Sequence, residues 1–231
     1  MTPSRRMLRE IAAEAEATAA WTGRARFAPR VLAALAAVRR EAFMPGALAA
    51  AAYENRPQPI GCGQTISQPF IVALMTDLLD PAPADTVLEI GTGSGYQAAV
   101  LARLVRRVCS LEVIPDLARR ARAALVAQGV RNVAVREGDG GFGWPEPPGA
   151  EGDVPPFDKI IVTAAAREVP PALLAQLRAP GRMVIPLGPP EGPQRLELIE
   201  KDAAGNVAVR HVLDVAFVPL TGNVQKRDAQ G

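Results

Sequence analysis

Histidine is almost missing from this chain: His211 is the single one in 231 residues. A serine activated by an imidazole base needs that ring beside it, and His211 stands outside the motifs described below, so a Ser-His-Asp hydrolase is excluded. Cysteine is as scarce. Cys62 and Cys109 have neither CxxC nor metal-ligand spacing, which argues against a disulfide scaffold and for a reducing compartment, and no metal site is expected. Aromatics are few, and the abundant Ala, Arg and Pro carry little functional information. No apolar run approaches membrane-spanning length, and the charged, alanine-rich N-terminus has no signal-type apolar segment. A cytoplasmic protein is expected, with no membrane partner. Charge of one sign is also lacking: the net charge is +2. The pairs Arg5-Arg6, Arg39-Arg40, Arg106-Arg107 and Arg119-Arg120 are scattered as on solvated helix faces, so no nucleic acid partner is expected either. A monomer is the expected state.

What is present begins with a hydrophobic content of 48%, enough to bury one large core, and a single domain is expected. Between Thr86 and Glu112 runs TVLEIGTGSGYQAAVLARLVRRVCSLE. Thr86 to Ile90 has the near-continuous apolar character of a buried parallel strand. Gly91, Gly93 and Gly95 allow a tight turn and close approach of a ligand. Tyr96 to Arg106 has helical spacing, and Val108 to Leu111 returns as a strand, which puts Glu112 at its carboxyl end, where an acid can accept ribose hydroxyls. The GxGxG spacing departs from the dinucleotide fingerprint GxGxxG, and Glu89 stands two residues before the first glycine. An acid there suits a ligand with a positive end and no phosphate, a description that S-adenosylmethionine meets.

A second stretch, PIGCGQTISQPFIVALM, spans Pro59 to Met75. Gly61, Gly63 and Pro69 mark a loop, Phe70 to Leu79 an apolar helix, and Ser67 reads as its N-cap. Together the two stretches resemble the protein-L-isoaspartate O-methyltransferase family, whose pattern includes IGxGQTISxP, LEIGTGSGYQ, a GDG turn and a C-terminal VPL segment. Here these are Ile60 to Pro69, Leu88 to Gln97, Gly138 to Gly140 and Val218 to Leu220, and the resemblance runs from about Val38 to Gly222. It implies S-adenosyl-L-methionine as cofactor and isoaspartyl proteins and peptides as substrates. It also implies Ser67 as the active-site serine, on a loop (Gln64, Thr65, Ile66, Ser67) that closes over cofactor and substrate. Glu89, Gly91, Thr92, Gly93, Ser94 and Gly95 match the first cofactor motif. Glu112 with Val113 matches the ribose site, and Asp139 and Gly140 stand beside the adenine. Ile60, Val218, Leu220 and Thr221 join Ser67 as substrate contacts. The chain departs from the family at Arg40-Glu41, commonly Arg-His, at Cys62, commonly Tyr or Phe, and at Gly141, commonly Trp. The first two bear on substrate-loop packing, and the third leaves a smaller side chain by the adenine, with Trp144 close in sequence.

The chemistry so implied requires no strong base. An isoaspartyl α-carboxylate is ionised at neutral pH, and in-line transfer from a sulfonium depends on alignment and exclusion of water. Two other readings stand beside it: a methyltransferase of the same fold acting on a small molecule or a specific biosynthetic peptide, and a non-catalytic S-adenosylmethionine-binding protein. The rest of the chain alternates strands and helices as an α/β, doubly wound, mostly parallel sheet requires, the Rossmann-like class I methyltransferase fold. Strands are predicted at 133–136, 159–163 and 182–186, and helices at 116–128 and 171–177. A C-terminal hairpin is predicted from 195–200 and 207–220. Residues 8–38 read as helical, within an N-terminal extension to residue 58 ahead of a catalytic core at 59–222. The Pro-, Gly- and acid-rich 142–156 reads as a flexible insertion, and 223–231 as a disordered tail.

Overall fold

The computed structural model describes residues 2–145, 156–189 and 192–222; most of the expected insertion, and the whole of the expected tail, lie outside the described residues. The N-terminal part is helical but broken. Helix α1 (Pro3–Thr22) ends where Gly23 turns left-handed at φ 67° and returns its N–H to the carbonyl of Ala19. Helix α2 (Pro29–Ala37) begins on a proline, so the single run expected over 8–38 becomes two helices through the usual glycine stop and proline start. Two 3₁₀ turns, Arg40–Phe43 and Gly46–Ala51, lead to the antiparallel pair β1 (Gln58–Gly61) and β2 (Gln64–Ile66).

The core alternates strand and helix: α3 (Pro69–Leu79), β3 (Thr86–Ile90), α4 (Tyr96–Leu101), β4 (Arg107–Glu112), α5 (Pro115–Ala127), β5 (Val133–Glu137), β6 (Phe157–Val162), α6 (Pro171–Gln176), β7 (Leu177–Leu187), β8 (Gln194–Lys201) and β9 (Val207–Val215). The sheet order is β5-β4-β3-β6-β7-β8-β9. The first five strands are parallel and the last two add antiparallel. The strand order reverses at β3, whose neighbours are β4 and β6, and a ligand crevice belongs at such a point. Side chains alternate across the sheet. Val87, Val108, Ile161 and Val184 face a core built with α1 to α5; Leu88, Ile90, Leu111, Ile160 and Val162 face a second with Trp144 and with Leu173 of α6. No described helix is long and apolar enough to cross a membrane.

Three elements differ in length from expectation: β7, expected over 182–186, begins at Leu177 and so takes the last residue of the helix expected over 171–177, and α4 and β9 are shorter. Helix α4 stops at Leu101 rather than Arg106, because the Asn132 side-chain amide donates to the carbonyls of Ala102 (3.0 Å) and Val105 (3.1 Å) and closes the chain end in tight turns. Strand β9 stops at Val215 rather than Leu220. The Gln194 side chain accepts the N–H of Phe217 (2.6 Å) and donates to its carbonyl (3.1 Å), drawing the chain off the sheet. Residues 218–220 then bond to Ala165 beyond β6, at 2.9 and 2.8 Å, a path that carries the tail over the carboxyl ends of the strands.

Candidate functional site

The carboxyl ends of β3, β4 and β6 meet in a cleft of about 750 Å³ including its open mouth. Its floor is the glycine loop. The N–H groups of Gly91 and Thr92 donate to the carbonyl of Leu111, and Gly91, at φ 92°, lies so close to Thr163 that a Cβ there would meet its Oγ1 at 2.5 Å. Glycine is therefore required at 91 by both conformation and space. Glu112 closes one end. Its Oε2 accepts the N–H of Gly93 (2.7 Å) and its Oε1 that of Ile114 (3.0 Å), so the carboxylate is fixed before any ligand arrives, with lone pairs to spare for hydroxyl donors. The roof is formed by Gln64–Ser67 on one side and Val218–Thr221 on the other.

Most of the sequence-predicted residues converge on this cleft: Gln64, Thr65, Ile66, Ser67, Gly91, Thr92, Gly93, Ser94, Glu112, Val113, Gly140, Val218, Leu220 and Thr221 all line it. Four stand elsewhere, among them Gly95, which packs against Ala121 of α5. Glu89 is wholly buried below the loop, because strand alternation turns it to the same face as Val87. The Ser110 hydroxyl donates to it, and Ser110 in turn shares a 2.6 Å hydrogen bond with Thr92. Burial pushes the Glu89 carboxyl up to about 8 against the opposing Ser110 bond, with the nearby Glu112 charge adding to the rise. One of its oxygens has no hydrogen-bond partner among the described residues. Asp139 accepts the N–H of Gly141 at 2.9 Å, shaping the turn that presents Gly140. Ile60 lines an adjoining groove with Phe43 and Met44.

Ser67 does not cap α3. The cap position is Gln68, without a side-chain bond, and the first-turn N–H of Phe70 is instead accepted by Asn55 Oδ1 at 2.9 Å. Released from capping, Ser67 lies at the boundary between the cleft and a second groove of about 860 Å³ that also holds Thr65, Thr163 and Val218. Sequence reasoning missed Thr163, Ala164 and Tyr96 in the cleft wall. The position of Thr163 just past β6 was a usable signal, since ligands of such sheets bind beyond the strand ends. Tyr96 is buried, under the Arg40 guanidinium at 4.9 Å from its ring centre.

With this geometry in place, similarity to known proteins is informative. The family model described as protein-L-isoaspartate(D-aspartate) O-methyltransferase matches residues 22–225. A Syntrophobacter fumaroxidans protein named protein-L-isoaspartate O-methyltransferase 2 is 54% identical over 94% of this chain and 85% of its own. A Cupriavidus necator protein-L-isoaspartate O-methyltransferase 1 is also 54% identical, over 94% of this chain and 81% of its own. Among solved structures, a protein-L-isoaspartate O-methyltransferase superposes with TM-score 0.79 at 25% identity, covering 98% of this chain and 69% of that one. A Plasmodium falciparum structure determined with S-adenosyl-L-homocysteine shares the fold, with TM-score 0.75 at 21% identity over 96% of this chain and 99% of its own. The chain belongs to the protein-L-isoaspartate(D-aspartate) O-methyltransferase family.

Proposed function

We propose that this protein uses S-adenosyl-L-methionine to methylate the α-carboxylate of L-isoaspartyl residues in damaged proteins and peptides, and that it does so as a monomer in the cytoplasm. The observation that carries the reading is the meeting of Ser67 and the glycine loop in one cleft. The wall fits the cofactor. A braced carboxylate at Glu112 suits a ribose diol, Gly140 lets its turn pack on Ile90, where a Cβ would collide with Cγ2, and positive-φ glycines at 91 and 93 bring backbone close to the ligand. Glu112 and Val113 would hold the nucleoside end, with the loop from Gly91 to Ser94 along the remainder. When bound, S-adenosyl-L-methionine supplies a methyl group activated by a sulfonium charge.

The chain's own groups then have limited tasks. Ser67 orients the substrate carboxylate by donating its hydroxyl hydrogen. Residues 64–67 and 218–221 shut out water, which strengthens attraction between the opposite charges that cancel during transfer. No residue must remove a proton, since the carboxylate arrives ionised. The methoxy group of the ester so formed leaves more readily than a carboxylate oxygen, so attack of the neighbouring peptide nitrogen on the ester carbonyl breaks the C–O bond, releases methanol and gives a succinimide without further help. Hydrolysis of that ring restores part of the normal aspartate, so the outcome is repair. The test is methyl transfer to an isoaspartyl peptide and to its aspartyl twin: transfer to the first alone is expected, and equal rates on both, or none on either, would overturn the reading.

A further inference from the structure

Arg40 is an anomaly of burial. Its side chain is fully enclosed, yet among the described residues no carboxylate pairs with it. Nε donates to the carbonyl of Ala52 at 2.8 Å, Nη2 donates to the carbonyl of Ser67 at 2.8 Å, and the guanidinium lies over the ring of Tyr96. Nη1 and the Tyr96 hydroxyl, both buried, have no hydrogen-bond partner among the described residues. Desolvation lowers the guanidinium to about 10, so it remains a cation at neutral pH. A buried cation held by carbonyls and by Tyr96, with no carboxylate partner among the described residues, is a poor device for stability: an apolar side chain of the same volume would avoid the cost of desolvation. What the guanidinium does that an apolar chain cannot is hold two backbone segments at fixed separation with a planar fork. One is the carbonyl of Ser67. The stack on Tyr96 adds a third segment, because Tyr96 directly follows the glycine loop and lines the cleft.

We propose that Arg40 is a positioning residue for the methyl transfer, fixing the backbone of Ser67 relative to the glycine loop. This rests on the role of Ser67 in the reading above. A lysine at 40 keeps the charge but has no fork, and a methionine keeps bulk alone.

The experiment compares the full-length protein with R40K and R40M by amide hydrogen exchange, and measures methylation of the isoaspartyl peptide. In R40K, exchange across residues 64–68 is expected to rise about tenfold or more while β3 and β4 keep their protection. The kcat should fall about tenfold or more, with the cofactor KM changing less than about threefold. R40M should show both effects more strongly; if it does not fold, R40K decides alone. Unchanged exchange across 64–68, or activity that falls only in proportion to the folded fraction, would overturn the proposal. A wild-type protein that methylates neither peptide would sink the functional reading, while the exchange data would still decide whether Arg40 orders the loop.

Discussion

At the scale of single residues, freedom of Ser67 from α3 changes what its mutation should do. A capping serine would cost stability when replaced, but here Asn55 serves the first turn. Ser67→Ala is therefore expected to shift unfolding by less than about 0.5 kcal/mol. It should lower kcat/KM for isoaspartyl peptide by about tenfold or more, because a hydrogen bond to a charged group is worth about 1.5–3 kcal/mol. Denaturant titration and steady-state kinetics on one preparation check both halves. A less stable variant with wild-type turnover would remove Ser67 from the carboxylate. Glu89 gives a prediction of a different kind. Its folded carboxyl titrates near 8, mainly through burial, whereas in the unfolded chain it titrates near an ordinary glutamate. Between those values the folded state binds the extra proton. Stability from this group is thus full below about pH 4.3 and is lost as pH rises through about 8, by up to about 1.4 kcal/mol per unit. Melting curves from pH 5 to 9 should slope down, and Glu89→Gln, which keeps a neutral side chain there, should flatten the slope. Parallel pH profiles for the two proteins would mean that Glu89 is ionised in the fold.

At the scale of elements, what was legible in the sequence depended on how far apart the determining groups lie. Strands β3 and β4 and the glycine loop were readable because buried parallel strands are plain apolar runs and the turn needs closely spaced glycines. The break in the N-terminal helix was marked by Gly23 and Pro29, but an alanine-rich context hid it. The extent of β9 was misjudged because alternation continues past Val215, and only Gln194, from the neighbouring strand, draws Phe217 aside. The capping residue of α3 was misassigned for the same reason. Asn55 lies 15 residues from Phe70 and also donates to Glu14 of α1 at 2.7 Å, while Gln68 donates to the same carboxylate at 2.9 Å. No local pattern reveals such a relay. Asn55→Ala should accordingly destabilise the protein by about 0.5–2 kcal/mol, the usual range for a lost cap, measured as a fall in urea midpoint at constant slope. A change within error would show that the first turn of α3 finds another acceptor.

At the scale of the molecule, the question is whether residues 1–58 are an appendage to the core or part of it. Met7, Ile11 and Ala15 of α1 are at most 1% exposed, and α1 and α2 both pack on α3. Phe27 meets Phe70 with ring centres 5.9 Å apart. Asp77 of α3 binds the Arg24 guanidinium at 2.8 Å and the N–H of Ala28 at 2.7 Å, so polar contacts pin the link between α1 and α2 to the core helix as well. Burial of a large apolar side chain contributes about 1.5–3 kcal/mol. Met7, Ile11 and Phe27 together are then worth about 5–9 kcal/mol, before the cost of exposing their partners on α3. Total stabilities of domains are about 5–15 kcal/mol, so a chain lacking residues 1–28 should be mostly unfolded rather than a working core without its cover. The same argument predicts one calorimetric transition for the full-length protein, with van't Hoff and calorimetric enthalpies in agreement. S-adenosyl-L-homocysteine should raise the whole transition, by about 2.7 kcal/mol at a hundredfold excess over Kd, since it engages only the folded cleft. Two separable transitions, or a truncated chain with intact near-ultraviolet dichroism, would show instead that α1 is a detachable cover.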